Sequence, residues 1–322
     1  MLKVFISFLL VFITVHAKDL APTHVYQASG AVTDIVAQDS KIYIATDASC
    51  VDIFDLSTNE KINQIKVPQI KDFMGDVIDA KIYNVDAFKN NILLTAQAAK
   101  GFREVHLYSN GKMQTIIDIN HKMFISKAKF VDENTIVFSL LSNEMYLYDI
   151  ANKKIIWRID VHPDGEIFNS KFSDFTLNDA HTKAVVADES GDLKIVDIKR
   201  GKVINVLANK NLDNVFKVDW KQDKIITAGQ DGRCVVYDLK TSNAFFIKTH
   251  FLIYGAGLSP SGKWGAYSSD EENNVTVFKI NTKSKKYKLT QNLMTLSAIL
   301  FTNENEIFVT TDSNKFNYYK LQ

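Results

Sequence analysis

The histidines beyond residue 20 are His24, His106, His121, His162, His181 and His250, and no two stand at the i, i+4 spacing with which one helix face ligates zinc. A Cys-x-x-Cys-His text for covalent haem attachment is missing, so the chain is not itself a c-type cytochrome. A serine nucleophile on a strand-to-helix elbow would need Gly-x-Ser-x-Gly; the nearest text, Ser259-Pro260-Ser261-Gly262, reads as a turn between two strands. The acidic runs Asp188-Glu189-Ser190-Gly191-Asp192 and Asp270-Glu271-Glu272 lack the spaced carboxylates of a twelve-residue calcium loop and read as hairpin tips. Tyr254-Gly255-Ala256-Gly257 falls within a strand, where glycine marks a bulge or close packing rather than a phosphate cradle. These residues call for no catalytic site, metal or cofactor, and point to a protein that is not an enzyme.

The elements that must position any site are strands. The chain has 322 residues, 46% of them hydrophobic and 23% charged, with a formal net charge of +1, which supplies no broad electrostatic reason to bind nucleic acid. From Ala31 onward apolar runs of four to seven residues, rich in Val, Ile, Phe and Tyr, alternate with clusters of Asn, Asp, Gly, Ser and Lys. One pattern keeps returning: Ile53-Phe54-Asp55-Leu56, Leu147-Tyr148-Asp149-Ile150, Ile195-Val196-Asp197-Ile198, Val236-Tyr237-Asp238-Leu239, Val277-Phe278-Lys279-Ile280 and Tyr318-Tyr319-Lys320-Leu321, with a degenerate copy at Leu107-Tyr108-Ser109-Asn110.

The third residues of these copies fall at positions 55, 109, 149, 197, 238, 279 and 320. Most steps lie near 41, the length of a four-stranded propeller blade. Seven such sheets are stable only when stacked radially and closed into a ring. The last unit offers three runs, and Pro22–Ala28 is left over at the start. The expectation is an all-β, seven-bladed propeller whose last blade is closed by the N-terminal strand.

The text resembles the WD40-like propeller family over nearly all of residues 18–322, with Tyr237-Asp238 and its equivalents in the place of the family's Trp-Asp pair. The resemblance implies that Asp47, Asp188, Asp231, Asp270 and Asp312 act as structural aspartates accepting backbone N–H groups at a tight turn; simple turn formation is an equal reading. Cys50 and Cys234 fall in units one and five, across the disc and beyond bridging distance, and are expected as buried free thiols.

Residues 1–17, MLKVFISFLLVFITVHA, combine Lys3, an apolar stretch from Val4 to Val15 and a small residue at Ala17, the pattern of a cleaved signal peptide. The apolar stretch is too short to span a bilayer before Lys18-Asp19. Residues 18–322 are then a single exported propeller, expected as a monomer with no membrane span.

Two irregular loops carry the candidate binding residues. The longest step holds about a dozen additional residues around Val67–Asp79, where Phe73, Met74 and Asp76 form an apolar-acidic tip; Phe102 and Arg103 stand in an irregular hairpin before the third strand of unit two. Apolar side chains on extended loops are anchors for a protein partner, and packing of these loops over the disc is the competing expectation.

Finally, the stretch after the leader, Ala17-Lys18-Asp19-Leu20, the run from Gly101 to Lys112, that from Lys127 to Asn134 and Leu141-Ser142-Asn143-Glu144 resemble the accessory protein L family of periplasmic nitrate reductase systems. That resemblance implies a periplasmic, non-enzymatic role in assembly, maturation or electron supply of the reductase, with the reductase or its cytochrome subunits as partner. It transfers no site residue. The second reading is a propeller enzyme or small-ligand binder using the central funnel, where side chains converge from several blades without any local motif.

Overall fold

Burial along each repeat is graded. In the first blade the innermost strand Val32–Gln38 alternates buried and half-buried positions, Lys41–Thr46 and Cys50–Asp55 are buried nearly throughout, and the outermost strand Lys61–Lys66 is largely exposed. Middle strands buried on both faces must lie between two other sheets. In the computed structural model, which describes residues 17–162 and 170–322, seven sheets of consecutive antiparallel strands satisfy this by stacking around an axis. Seven hydrophobic clusters fill the seven spaces between neighbours, the last joining Ile42, Ile44 and Phe54 of blade one to Phe308 and Phe316 of blade seven. The ring is closed.

Closure uses the predicted strand. His24–Gln27 pairs antiparallel with Lys315–Lys320 and completes the seventh blade. Tyr26, 2% exposed, stacks on Phe316 at 4.9 Å and meets Phe54 edge-on at 5.2 Å. The segment before it does something the sequence did not suggest: Lys18–Leu20 runs parallel to Lys285–Leu289 and adds a fifth strand to blade six. Three residues are too few to register as a strand by periodicity. The expected leader, residues 1–17, lies outside the described residues apart from Ala17.

The recurring Asp has a local cause. At the end of the third strand Asp55, Asp149, Asp197 and Asp238 each accept a backbone N–H from two or three residues ahead, from Ser57 (2.8 Å), Asn152 (2.8 Å), Arg200 (2.9 Å) and Lys240 (3.0 Å). Each carboxylate thereby caps the turn into the outermost strand. Bonds from the Ser57 hydroxyl and amide hold the Asp55 carboxyl below its ordinary value. The aspartates before the third strand behave as the family resemblance implied at three positions: Asp188, Asp231 and Asp270 accept N–H groups from Ser190, Arg233 and Asn274, whereas Asp47 reaches back to the Ala31 N–H before the first strand.

A second set of carboxylates lines the central channel and ties blade to blade. Asp34 accepts the Val85 N–H (3.0 Å), Asp86 that of Phe130 (2.8 Å), Asp174 that of Val218 (3.1 Å) and Asp219 that of Leu258 (2.9 Å). Blades three and four are joined instead by Lys127 on Asp174 at 2.6 Å. Each charged bond of this kind contributes about 1.5–3 kcal/mol. Although desolvation disfavours both charges, Asp86 and Asp34 hold the Lys129 ammonium above its usual range, and Lys127 and Lys217 hold the Asp174 carboxyl below its own. These latches run from blade one to blade six. Between blades six and seven the backbone itself closes up, and a Cβ on Gly257 would stand 2.6 Å from the Ile299 carbonyl oxygen.

Both cysteines are free and buried, and burial pushes both thiols up, so neither is a ready nucleophile. Asp188, expected at a hairpin tip, is instead fully buried: Lys194, equally buried, donates to its Oδ2 at 2.6 Å, and Asn143 of blade three donates to the same oxygen at 2.7 Å. Sequence reading failed there because Lys194 looks like a surface residue until neighbouring blades cover it. Among the described residues no helix is long and apolar enough to cross a membrane.

Candidate interaction face

Strands within a blade alternate in direction, so the turn from second to third strand and the connection from outermost strand to the next blade share one face of the disc. The other two turns share the opposite face. Every large apolar side chain that is exposed in a described connection lies on the first of these faces: Phe73, Met74, Val77, Phe124, Leu141, Leu212, Leu293 and Met294. Carboxylates of Asp72, Asp76, Glu189, Asp192 and Asp270–Glu272 lie in the same connections. A near-neutral chain thus presents one apolar and acidic face, a combination that marks interaction surfaces.

The five candidate residues separate into two groups. Phe73 is 96% and Met74 73% exposed, at the tip of a small hairpin formed by Ile70–Lys71 and Val77–Ile78. The tip is shaped by Asp72, whose Oδ1 accepts the N–H groups of Met74 (2.8 Å) and Asp76 (2.9 Å), and by Gly75 at φ +94°. Asp76 is exposed beside them. Phe102 and Arg103 are packed instead. The Phe102 ring tilts against Phe124 at 5.1 Å, and the Arg103 guanidinium lies 3.6 Å from the Tyr83 ring centre while donating to the Ile125 carbonyl at 2.9 Å. Arg103 therefore ties blade two to blade three. Among the described residues no hydrogen bond, ion pair or ring contact joins the two groups.

Beneath the hairpin lies a pocket of about 290 Å³ lined by Val67, Pro68, Ile70, Glu104, His106 and Thr115. His106 sits mid-strand and is only 5% exposed. Its Nδ1 is 3.0 Å from the Thr115 hydroxyl, and burial lowers the imidazole from 6.5 to about 4, although Glu104 stands 3.7 Å away. Between those values the unfolded chain binds a proton that the folded chain refuses. Stability linked to neutral His106 is therefore whole above pH 6.5 and declines as pH falls toward 4, by on the order of 3 kcal/mol in all. Denaturant midpoints measured from pH 7 to 4.5 should fall less steeply for His106→Gln than for the wild type.

The funnel offers less room. Its cavity is about 120 Å³, and Asp34, Lys127, Lys129, Asp174, Lys217 and Asp219 line it, most of them already bonded to one another or to backbone. Among the described residues no group of three or more His, Cys, Asp or Glu gathers as a metal site.

No protein-family model and no curated protein matches the chain. Among solved structures it is similar to the β-propeller domain of Cps50 (Swd1) from Myceliophteria thermophila, with a TM-score of 0.73 and 12% identity, covering 93% of this chain and 100% of that one. At that identity the likeness bears on fold alone. The fold is a seven-bladed, WD40-like propeller.

Proposed function

We propose that this chain is an exported, non-enzymatic interaction platform that binds a protein partner through the apolar and acidic face. One observation carries the reading: a nearly fully exposed Phe73, with Met74, held forward by an Asp72-shaped hairpin on a face that also gathers the other exposed apolar loop residues. A solvated phenylalanine at a rigid tip costs hydrophobic free energy in the free protein, which burial under a partner recovers at roughly 25 cal/mol per Å². The carboxylates around it select a partner surface carrying Lys or Arg beside an apolar pocket. A periplasmic reductase complex is the partner class proposed, supported by the resemblance of Gly101–Lys112 and Lys127–Asn134 to nitrate reductase accessory proteins. The periplasm is the compartment proposed, on the signal-peptide pattern of residues 1–17.

Affinity capture from periplasmic extract tests this. The wild-type chain should recover a reductase or cytochrome subunit, and Phe73→Ala with Met74→Ala should lose it at an unchanged melting temperature. Arg103→Ala should instead lower stability by about 1–3 kcal/mol, since it strands the Ile125 carbonyl and removes the stacked cation. Undiminished capture by the double variant would refute the assignment of the hairpin.

A further inference from the structure

The opposite face carries a second feature, independent of the platform reading. Where the strand turns of neighbouring blades meet on this face, the sheets splay apart and leave a groove. The chain's own side chains bridge this groove between four pairs of blades. Lys89 pairs with Glu133 at 2.7 Å between blades two and three. The Trp157 indole lies over Gly201 and donates to the Ile198 carbonyl at 2.8 Å between three and four. Gln222 donates to Asp179 at 2.9 Å between four and five, and Ser259 to Glu304 at 2.9 Å between six and seven.

Between blades five and six no hydrogen bond or ion pair among the described residues spans the groove, and it opens into a cleft of about 840 Å³. Its walls are the half-buried rings of Phe245 and Trp264 with the aliphatic Ile280, and Gly262, at φ +67°, keeps side-chain bulk out of one side. Two carboxylates line it, Asp223 and Asp238, and both are taken by Lys224 at 3.0 Å. Among the described residues, Lys263, Lys279 and Lys283 have no carboxylate within ion-pair distance. Two of these ammoniums stand over the rings instead, Lys279 at 5.4 Å from Trp264 and Lys283 at 4.6 Å from Phe245.

We propose that this cleft binds a small anion with a planar, apolar body: a carboxylate, phosphate or sulfonate on an aromatic frame. The volume falls in the range of roughly 300–1,000 Å³ that small-molecule sites occupy. The rings supply stacking surface, and the three ammoniums, none of them in an ion pair, supply the charge that the body's acidic group needs. The equivalent groove between blades two and three, bridged by Lys89 and Glu133 and only about 360 Å³ in volume, is an internal control.

The test is titration of the full chain with 1-naphthalenesulfonate, its neutral analogue 1-naphthalenemethanol and its cationic analogue 1-naphthylmethylammonium, read by calorimetry and by Trp264 fluorescence. The sulfonate should bind at least tenfold more tightly than the neutral compound, and the ammonium should bind least. The combined Lys263→Gln, Lys279→Gln and Lys283→Gln variant should lose at least tenfold for the sulfonate, Trp264→Leu should weaken the neutral and anionic probes alike, and Lys89→Gln should change neither. All three lysines are exposed, so the melting temperature of the triple variant should match the wild type. No saturable sulfonate binding at millimolar probe, equal binding of the sulfonate by the triple variant, or a neutral probe bound as tightly as the anion would each overturn the proposal. Retention of partner capture by the triple variant would leave the platform reading intact whatever the probes do.

Discussion

Asp188→Ala is expected to destabilise the protein by about 3–5 kcal/mol, because it leaves the Lys194 ammonium buried without its counter-charge. Lys194 and Asp188 are both inaccessible to solvent, and Asn143 and Ser190 complete the site by bonding the same carboxylate. Removing the carboxylate also frees the Asn143 amide, and with it a link between blades three and four. Lys194→Met is expected to cost as much for the mirrored reason, leaving Asp188 charged against three neutral donors, the Asn143 amide and the Ser190 N–H and hydroxyl. The double variant Asp188→Leu, Lys194→Met is expected to recover most of the loss, since replacing a buried pair by apolar groups of similar volume is close to neutral. Urea midpoints of the three variants decide the matter. Losses under about 1 kcal/mol for either single variant would mean that water reaches the pair.

The second large effect concerns the seam. Tyr26→Ala is expected to cost about 3–5 kcal/mol, as large aromatic truncations in cores do. It empties the space between Phe54, Phe308 and Phe316, and it removes a bond from the tyrosine hydroxyl to Asn59 at 2.5 Å. Deleting residues 17–28 should be more severe. Blade seven would keep three strands, with the edge of Lys315–Lys320 unpaired, and blade six would lose its outer strand. Such an edge recruits any free strand, including one from a second molecule. A synthetic peptide spanning residues 17–28, added to the truncated chain, should restore the far-UV and near-UV spectra in a saturable way, by the strand addition that sheet edges support. A truncated chain that stays monomeric and melts like the full one would show that the clasp contributes little.

The parts of this molecule that could be read from the sequence are those whose chemistry is local. Asp55, Asp149, Asp197 and Asp238 recur because each caps a turn a few residues away, and with Ser109, Lys279 and Lys320 at the equivalent place their spacing counts seven blades. Pro22–Ala28 was identified by subtraction, as a strand without a sheet. The channel carboxylates were not legible, because Asp34 and Val85, or Asp219 and Leu258, meet only when blades stack, and an Asp inside a strand otherwise looks like a solvated residue. The candidate loops show the same limit within a few residues. Phe73 and Arg103 both read as anchors on irregular segments, yet one ends in water and the other under Tyr83. The cleft of Phe245 and Trp264 was not legible, since Lys279 reads only as a member of the repeat and nothing in the spacing brings it, Lys263 and Lys283 to the two rings.

The latches of the inner channel stop at blade six, while the first described residues stitch blades six and seven together from the rim. Residues 18–27 are thus fastened only after the strands of blades six and seven that receive them have been made. Blades one to five can zip up one after another, each joined to its successor through a channel carboxylate. Residues 18–27 must stay unattached until Lys285–Leu289 and Lys315–Lys320 exist to receive them, so the ring closes only once its sixth and seventh blades are made.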